Sequence, residues 1–310
     1  MTTQSHRTRT ITTITGSEAV SSVLHAIVEP GFFSSSAVEL AAVLGGVVAI
    51  VAACVGVFTV IRGQSFAGEA LGDIGAAGGS SAYLVGIGPV WGFVGLSLAA
   101  SAVMELIGVQ RARGRDLATG IVLGAGFGLA ALFLYLGTLD GSTTGTIPTI
   151  LFGSIFAISS SNLPIVLGLG GLAIATIVVL YRPLLLASTS PELAAARGVP
   201  VRVIGAAYLF AMAVAVALSA LTIGAILSTA LLVGPAAAAL RLTSRPHRAI
   251  LLAAAIGLAC TWLGLLLAWD SYYWPHRGWP VSSFVVALVL MSYLLADLWD
   301  RLRERRRSTH

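Results

Sequence analysis

The sequence predicts an all-α integral membrane protein with about nine crossings of the bilayer, and three observations carry that prediction. Mean hydropathy is +0.93 and only 10% of the residues are charged, against about 25% in a soluble domain. Apolar runs of about 20 residues, the length of one helical crossing, recur from Ala37 to Trp299. Arginines gather on alternate connections between those runs.

The crossings follow in order. The first is Ala37–Ile61, ended by Arg62-Gly63-Gln64. Phe66–Gly86 is the second, glycine-rich and acidic, followed by Val90–Gln110 and Leu117–Leu139. Between the fourth and fifth, Ile147–Ala157 is apolar but too short to span, which reads as a re-entrant or interfacial piece. Then come Leu163–Tyr181, Val203–Leu221, Ile223–Leu242, Ala249–Trp269 and Val281–Trp299. The connections after the odd-numbered crossings hold Arg62; Arg111, Arg113 and Arg115; Arg182, Arg197 and Arg202; Arg241, Arg245 and Arg248; and the tail arginines from Arg301 to Arg307. Arg277 is the exception among internal connections, and Arg7 and Arg9 lie in the N-terminal tail. The positive-inside rule therefore predicts an outer N-terminus and an inner C-terminus. The chain divides into a polar tail over 1–36, a membrane domain over 37–300 and a basic tail over 301–310. No apolar core with a small-residue cleavage site precedes the first run, so no secretory signal is expected. Glu18–Glu29 carries a weak amphipathic pattern.

All 18 basic residues are arginine. Without lysine the chain has no Walker-type phosphate loop and no pyridoxal Schiff base. No His-Glu-x-x-His pattern or nucleophile–base pair marks it as an enzyme. The net charge of +5 follows from loop and tail arginines, so membrane orientation explains it and nucleic acid is not needed. Cys54 and Cys260 lie within apolar runs as small hydrophobes.

Four stretches carry chemistry. Glu69 and Asp73 are four residues apart, on one face if the segment is helical. Acids at membrane depth need water, a cation or a partner, and two oxygen donors suit a divalent ion in transit. The alternative is a cap at the start of the second crossing, near Arg62. Ser190-Pro191-Glu192-Leu193-Ala194-Ala195-Ala196-Arg197-Gly198 spells a short helix. Ser190 suits the N-cap, Pro191 the first turn, Glu192 the positive end of the dipole and Gly198 the left-handed terminus. It reads as a docking helix for an inner partner or as an ordinary capped surface helix. Gly234-Pro235 removes an amide donor in mid-crossing and predicts a helix break, either facing a solvated path or serving as a packing kink. On the outer side, Asp270 and His276 stand among aromatics of an interfacial belt and are candidates for external metal entry.

Taken together these segments resemble the permease subunits of the manganese/zinc/iron-chelate ABC importers. The likeness runs from about Ala37 to Asp297 and is strongest over Ile223–Arg241, in the loop from Ser190 to Val201, and at Leu151–Ser154. The resemblance implies a homodimeric permease in a bacterial plasma membrane, with an ATP-binding cassette subunit inside and an extracytoplasmic metal-binding protein outside. It implies that residues 190–200 are the coupling helix, that ATP is hydrolysed on the partner, and that no cofactor is held permanently. The family's second crossing usually carries an Asp and, four residues later, a His; here those positions are Glu69 and Asp73. Ser154 and Asn162 also stand where relatives often carry acids. Two carboxylates favour the harder manganese, while the outer loop is most similar to a zinc-directed branch, so zinc is expected first and manganese second. The rival reading is a proton-coupled secondary transporter using the same acids.

Overall fold

The structure is a computed structural model, and it describes residues 35–107, 112–139, 146–153, 155–271 and 279–307. Among the described residues every regular element is helical, which agrees with the all-α expectation. The elements are α1 (Ser36–Ile61), α2 (Ser65–Leu84), α3 (Pro89–Ile107), α4 (Ala112–Leu139), α5 (Thr146–Phe152), α6 (Leu163–Val179), α7 (Tyr181–Thr189), α8 (Pro191–Ala196), α9 (Val201–Ile223), α10 (Ser228–Leu242), α11 (Pro246–Ser271) and α12 (Val281–Arg307). Two single-turn 3₁₀ pieces, Ile155–Ala157 and Ser160–Asn162, join α5 to α6.

Seven of the described helices are long and apolar enough to cross a membrane: α1, α3, α4, α6 with the preceding 3₁₀ turn, α9, α11 and α12. The two remaining expected crossings differ for separate reasons. α2 has the length, 20 residues or about 30 Å, but its five glycines and two acids keep its hydropathy low. α10 has only 15 residues, about 22 Å. The expected seventh crossing loses its first turn because α9 runs on to Ile223 and the chain then breaks.

Helices that are apolar on every side belong inside a bundle, and α1 and α9 follow that rule. Ala211–Ala220 of α9 are all buried. Small Ala and Val side chains there allow neighbours to approach on every face. Around this pair, α4, α6 and α12 leave most of their apolar surface open to the outside, as lipid-facing helices do.

The sequence places a helix break at Gly234-Pro235, and the structure does not. α10 continues through both residues. Gly234 is small because α12 crosses there: a β-carbon at Gly234 would overlap Val289. Pro235 is buried at the α10–α11 contact, near Gly257. The break falls instead at Gly224, which takes φ +99°, a conformation other residues adopt only with strain. Amides of Ala225 and Ile226, freed by that break, donate to the carbonyls of Ile150 and Leu151 at 3.3 and 3.4 Å. The short segment expected to be re-entrant thus supplies the partners for the broken helix. The crossing is tight, since a β-carbon on Gly153 or Gly224 would overlap the other segment's backbone.

The loop at 182–202 also holds more structure than the sequence indicates. α7 occupies its first half, and the expected short helix is α8. Gly198 has φ +76° and closes α8. Its amide bonds Ala195 and that of Val199 bonds Ala194, both at 3.0 Å, which is the Schellman pattern. Ser190 stands at the N-cap, but its hydroxyl makes no capping bond; its φ and ψ of −149° and 84° carry only the backbone carbonyl into the helix, which accepts from Ala194.

Gly224→Val combines a disallowed conformation with overlap against α5. We expect it to lower the thermal midpoint of the detergent-solubilised protein, by a cost of about 3 kcal/mol or more. An unchanged midpoint would show that the α5 contact does not hold the break.

Candidate metal path

α2 carries two acids and five glycines, and the bundle covers most of it. Residues 70–80 are buried without interruption. α3 and α4 give the most extensive packing, with α9 and α10 closing the other sides. The glycines make the close fit. A β-carbon on Gly78 or Gly92 would overlap the other helix, so α2 and α3 cross backbone to backbone there. On the other flank, a β-carbon on Gly126 of α4 would come 2.7 Å from the Ile74 nitrogen and 3.1 Å from the Asp73 β-carbon. From α3, Ser97 adds a hydrogen bond to the Leu71 carbonyl at 3.0 Å.

The two acids of this helix face different surroundings. Asp73 is 7% exposed, and one of its carboxylate oxygens is buried without a hydrogen-bond partner. Such an oxygen is costly unless something not in the chain completes it. Glu69, one turn nearer the start of α2, is exposed. It faces a groove of about 590 Å³ between α2, α10 and α12, whose other polar positions are Ser65, Thr229 and Tyr293. The pair is therefore a step from an open groove into an enclosed helix rather than a single acidic spot.

A second polar cluster joins the start of α2 to the α7–α8 segment. Arg62 donates from Nε to the Gln64 side-chain oxygen at 3.2 Å and from a terminal nitrogen to the Ser188 hydroxyl at 3.3 Å. Its guanidinium lies 5.0 Å from the centre of the Tyr208 ring, within cation–π range. The Tyr208 hydroxyl pairs with Thr59 at 2.7 Å, and Phe58 meets Tyr181 edge to face. Burial pulls the Arg62 pKa below its ordinary value, while Tyr208 and Glu105 push it back up. Gln64 is the N-cap residue of α2 and Ser188 lies two residues before Ser190. One arginine thus ties the start of the acid-bearing helix to the end of α7, just before α8.

On α8, Pro191, Glu192, Leu193 and Arg197 are exposed and Ala194 is the buried anchor. Asp270 is half-buried near the end of α11, with one carboxylate oxygen lacking a partner. Its expected companion His276, and Ser154, lie outside the described residues. Among the described residues no three His, Cys, Asp or Glu side chains cluster to hold a metal. Sequence reasoning missed Gln64, Ser188 and Tyr293, which are ordinary polar residues whose importance comes only from distant neighbours.

A family model decides the relationship: residues 35–299 match the ABC 3 transport family. The chain belongs to that family. It is a membrane subunit of a transporter and not an enzyme. A manganese import system permease protein, ScaB of Streptococcus parasanguinis, is 30% identical over 227 residues, covering 72% of this chain and 78% of the relative. The manganese transport system membrane protein MntC of Halalkalibacterium halodurans is 29% identical over 218 residues, covering 70% and 74%. Among solved structures, PsaBC from Streptococcus pneumoniae in complex with Fab shares the fold at a TM-score of 0.70 and 24% identity, over 86% of this chain and 92% of that one. An inward-facing metal-chelate type ABC transporter also gives 0.70, at 16% identity.

The different surroundings of the two acids predict different access. With Cys54 and Cys260 replaced, Glu69→Cys should react readily with a water-soluble maleimide and Asp73→Cys at least tenfold more slowly. Equal rates would place both side chains in one open channel.

Proposed function

We propose that this chain is the permease of an ATP-driven importer that moves a divalent transition metal, manganese first and zinc second, across a bacterial plasma membrane. The carrying observation is the unpartnered carboxylate oxygen of Asp73 within the unbroken buried segment 70–80. A carboxylate enclosed by protein, one turn from a groove holding a second carboxylate, is suited to accept and release a cation. The zinc preference implied by the resemblance finds no support in the named relatives, which are manganese systems. Oxygen donors alone also favour the harder ion.

In this reading α2 and α10 complete nine crossings, with the N-terminus outside and the C-terminus inside. Two copies pair, and an extracytoplasmic metal-binding protein delivers the ion. The exposed face of α8 docks an ATP-binding cassette subunit. Motion of α8 reaches α2 through Ser188, Arg62 and Gln64, which are joined by hydrogen bonds.

The complex reconstituted in liposomes should take up radioactive manganese only with ATP inside the partner's compartment, and zinc more slowly. Removing residues 191–198 should abolish binding of the ATPase subunit and uptake together. Uptake driven by a proton gradient without ATP would instead support the secondary-transporter reading.

A further inference from the structure

α12 has 27 residues and a length of about 40 Å, so it outruns the roughly 30 Å of hydrocarbon in a bilayer. About 20 residues from Val281 fill that depth, which leaves the turns from Arg301 onward beyond it. Trp299 is exposed just before that point, where interfacial aromatic belts sit.

These last turns are divided by face. Tyr293, Asp297, Asp300 and Glu304 recur at helical spacing on the side of α10, where Asp297 meets Arg241 at 3.6 Å. Arg301 closes on the same carboxylate at 2.7 Å. The acids are thus gathered toward the bundle. On the outer side Leu294, Leu298 and Leu302 form a row, and the last two are 54% and 49% exposed. That row continues the exposed apolar face of α12 at Leu290 and Met291. Whatever covers Leu294 therefore also reaches Leu302.

Three arginines at this end are differently placed. Arg245, Arg248 and Arg303 are exposed, and among the described residues their guanidinium groups make no ion pair or hydrogen bond. The Arg241–Asp297 pair sets the end of α10 beside the end of α12, and α11 starts just after α10 at Pro246. α11 and α12 are thus antiparallel, and they meet where Gly264 packs on Val285. Counting 16 residues back from Gly264 and 16 forward from Val285 reaches Arg248 and Arg301. The start of α11 therefore stands level with the basic turns of α12.

We propose that this end of the bundle binds anionic phospholipid, with the lipid phosphate on Arg245, Arg248 and Arg303 and its acyl chains against Leu298 and Leu302. The inference goes beyond the transport reading and stands without it. Guanidinium groups match phosphate in charge and geometry. The occupant is lipid and not protein because the leucine row is one with the membrane face of α12. An arginine beside an anionic bilayer surface favours binding by about fivefold, so three favour anionic over zwitterionic lipid by about a hundredfold.

The test is photolabelling from the lipid. The full chain with its co-expressed partner subunits is placed in phosphatidylcholine nanodiscs. A trace of phosphatidylglycerol carrying a diazirine on its headgroup is present in both leaflets, and labelled peptides are mapped by mass. We expect labels within 245–248 and 298–305, at least tenfold above those from the matching phosphatidylcholine probe. Changing Arg245, Arg248 and Arg303 together to Gln should lower them at least tenfold and leave labels at 135–139, the end of α4, unchanged. Changing the same three to Lys should keep most of the labelling. Equal labelling by the two probes, or labels that the Gln variant leaves intact, would overturn the proposal. So would labels removed by inorganic phosphate, which would make a free anion the ligand. Labels seen only when the partner subunits are left out would assign this surface to a protein contact instead.

Discussion

The rest of the bundle is arranged around one constraint: the stretch of α2 that carries Asp73 is buried from residue 70 to residue 80 and has to be covered by protein on every side. An ionised side chain facing hydrocarbon costs several kcal/mol. Asp73 avoids that cost because α3, α4, α9 and α10 pack around its stretch of α2, while Glu69 stays exposed. Covering it tightly requires backbones to approach, and that explains the glycines. Gly78 meets Gly92, and Gly126 admits Asp73. The apolar helices α1 and α9 then form the interior, and the more exposed apolar helices α4, α6 and α12 lie outside them.

The membrane class and most helices were legible in the sequence because hydrophobic runs and arginine positions are local signals. α3, α9 and α11 lie within a few residues of the expected spans. The acidic pair was legible for the same reason, since two acids in an apolar chain stand out without any knowledge of the fold. The helix break was not. Gly234-Pro235 has the composition of a break, but Gly234 is fixed by Val289, 55 positions later in the chain. The actual break at Gly224 depends on carbonyls of Ile150 and Leu151. No local pattern announces such a pairing. The different surroundings of Glu69 and Asp73 were hidden likewise, because helical spacing gives a shared face but not what each neighbour covers.

The Arg62 cluster joins α1, α2, α7 and α9 at one end of the bundle. Tyr208 fixes the guanidinium, Gln64 belongs to α2, and Ser188 belongs to the segment leading into α8. The end of α7, which leads into α8, is thus joined to the start of α2 by short polar contacts. The Schellman closure at Gly198 keeps α8 a compact unit. Together these contacts link the surface where a partner would act to the helix where the cation would pass.

The most direct measurement of the central claim is manganese uptake by reconstituted complexes carrying Asp73→Asn, a change that keeps size and removes charge. Assembly with the partner subunits is checked in the same preparation. The account predicts normal assembly with uptake reduced at least a hundredfold. Assembly with wild-type uptake would contradict it, because the buried carboxylate would then be a structural feature and not part of the path.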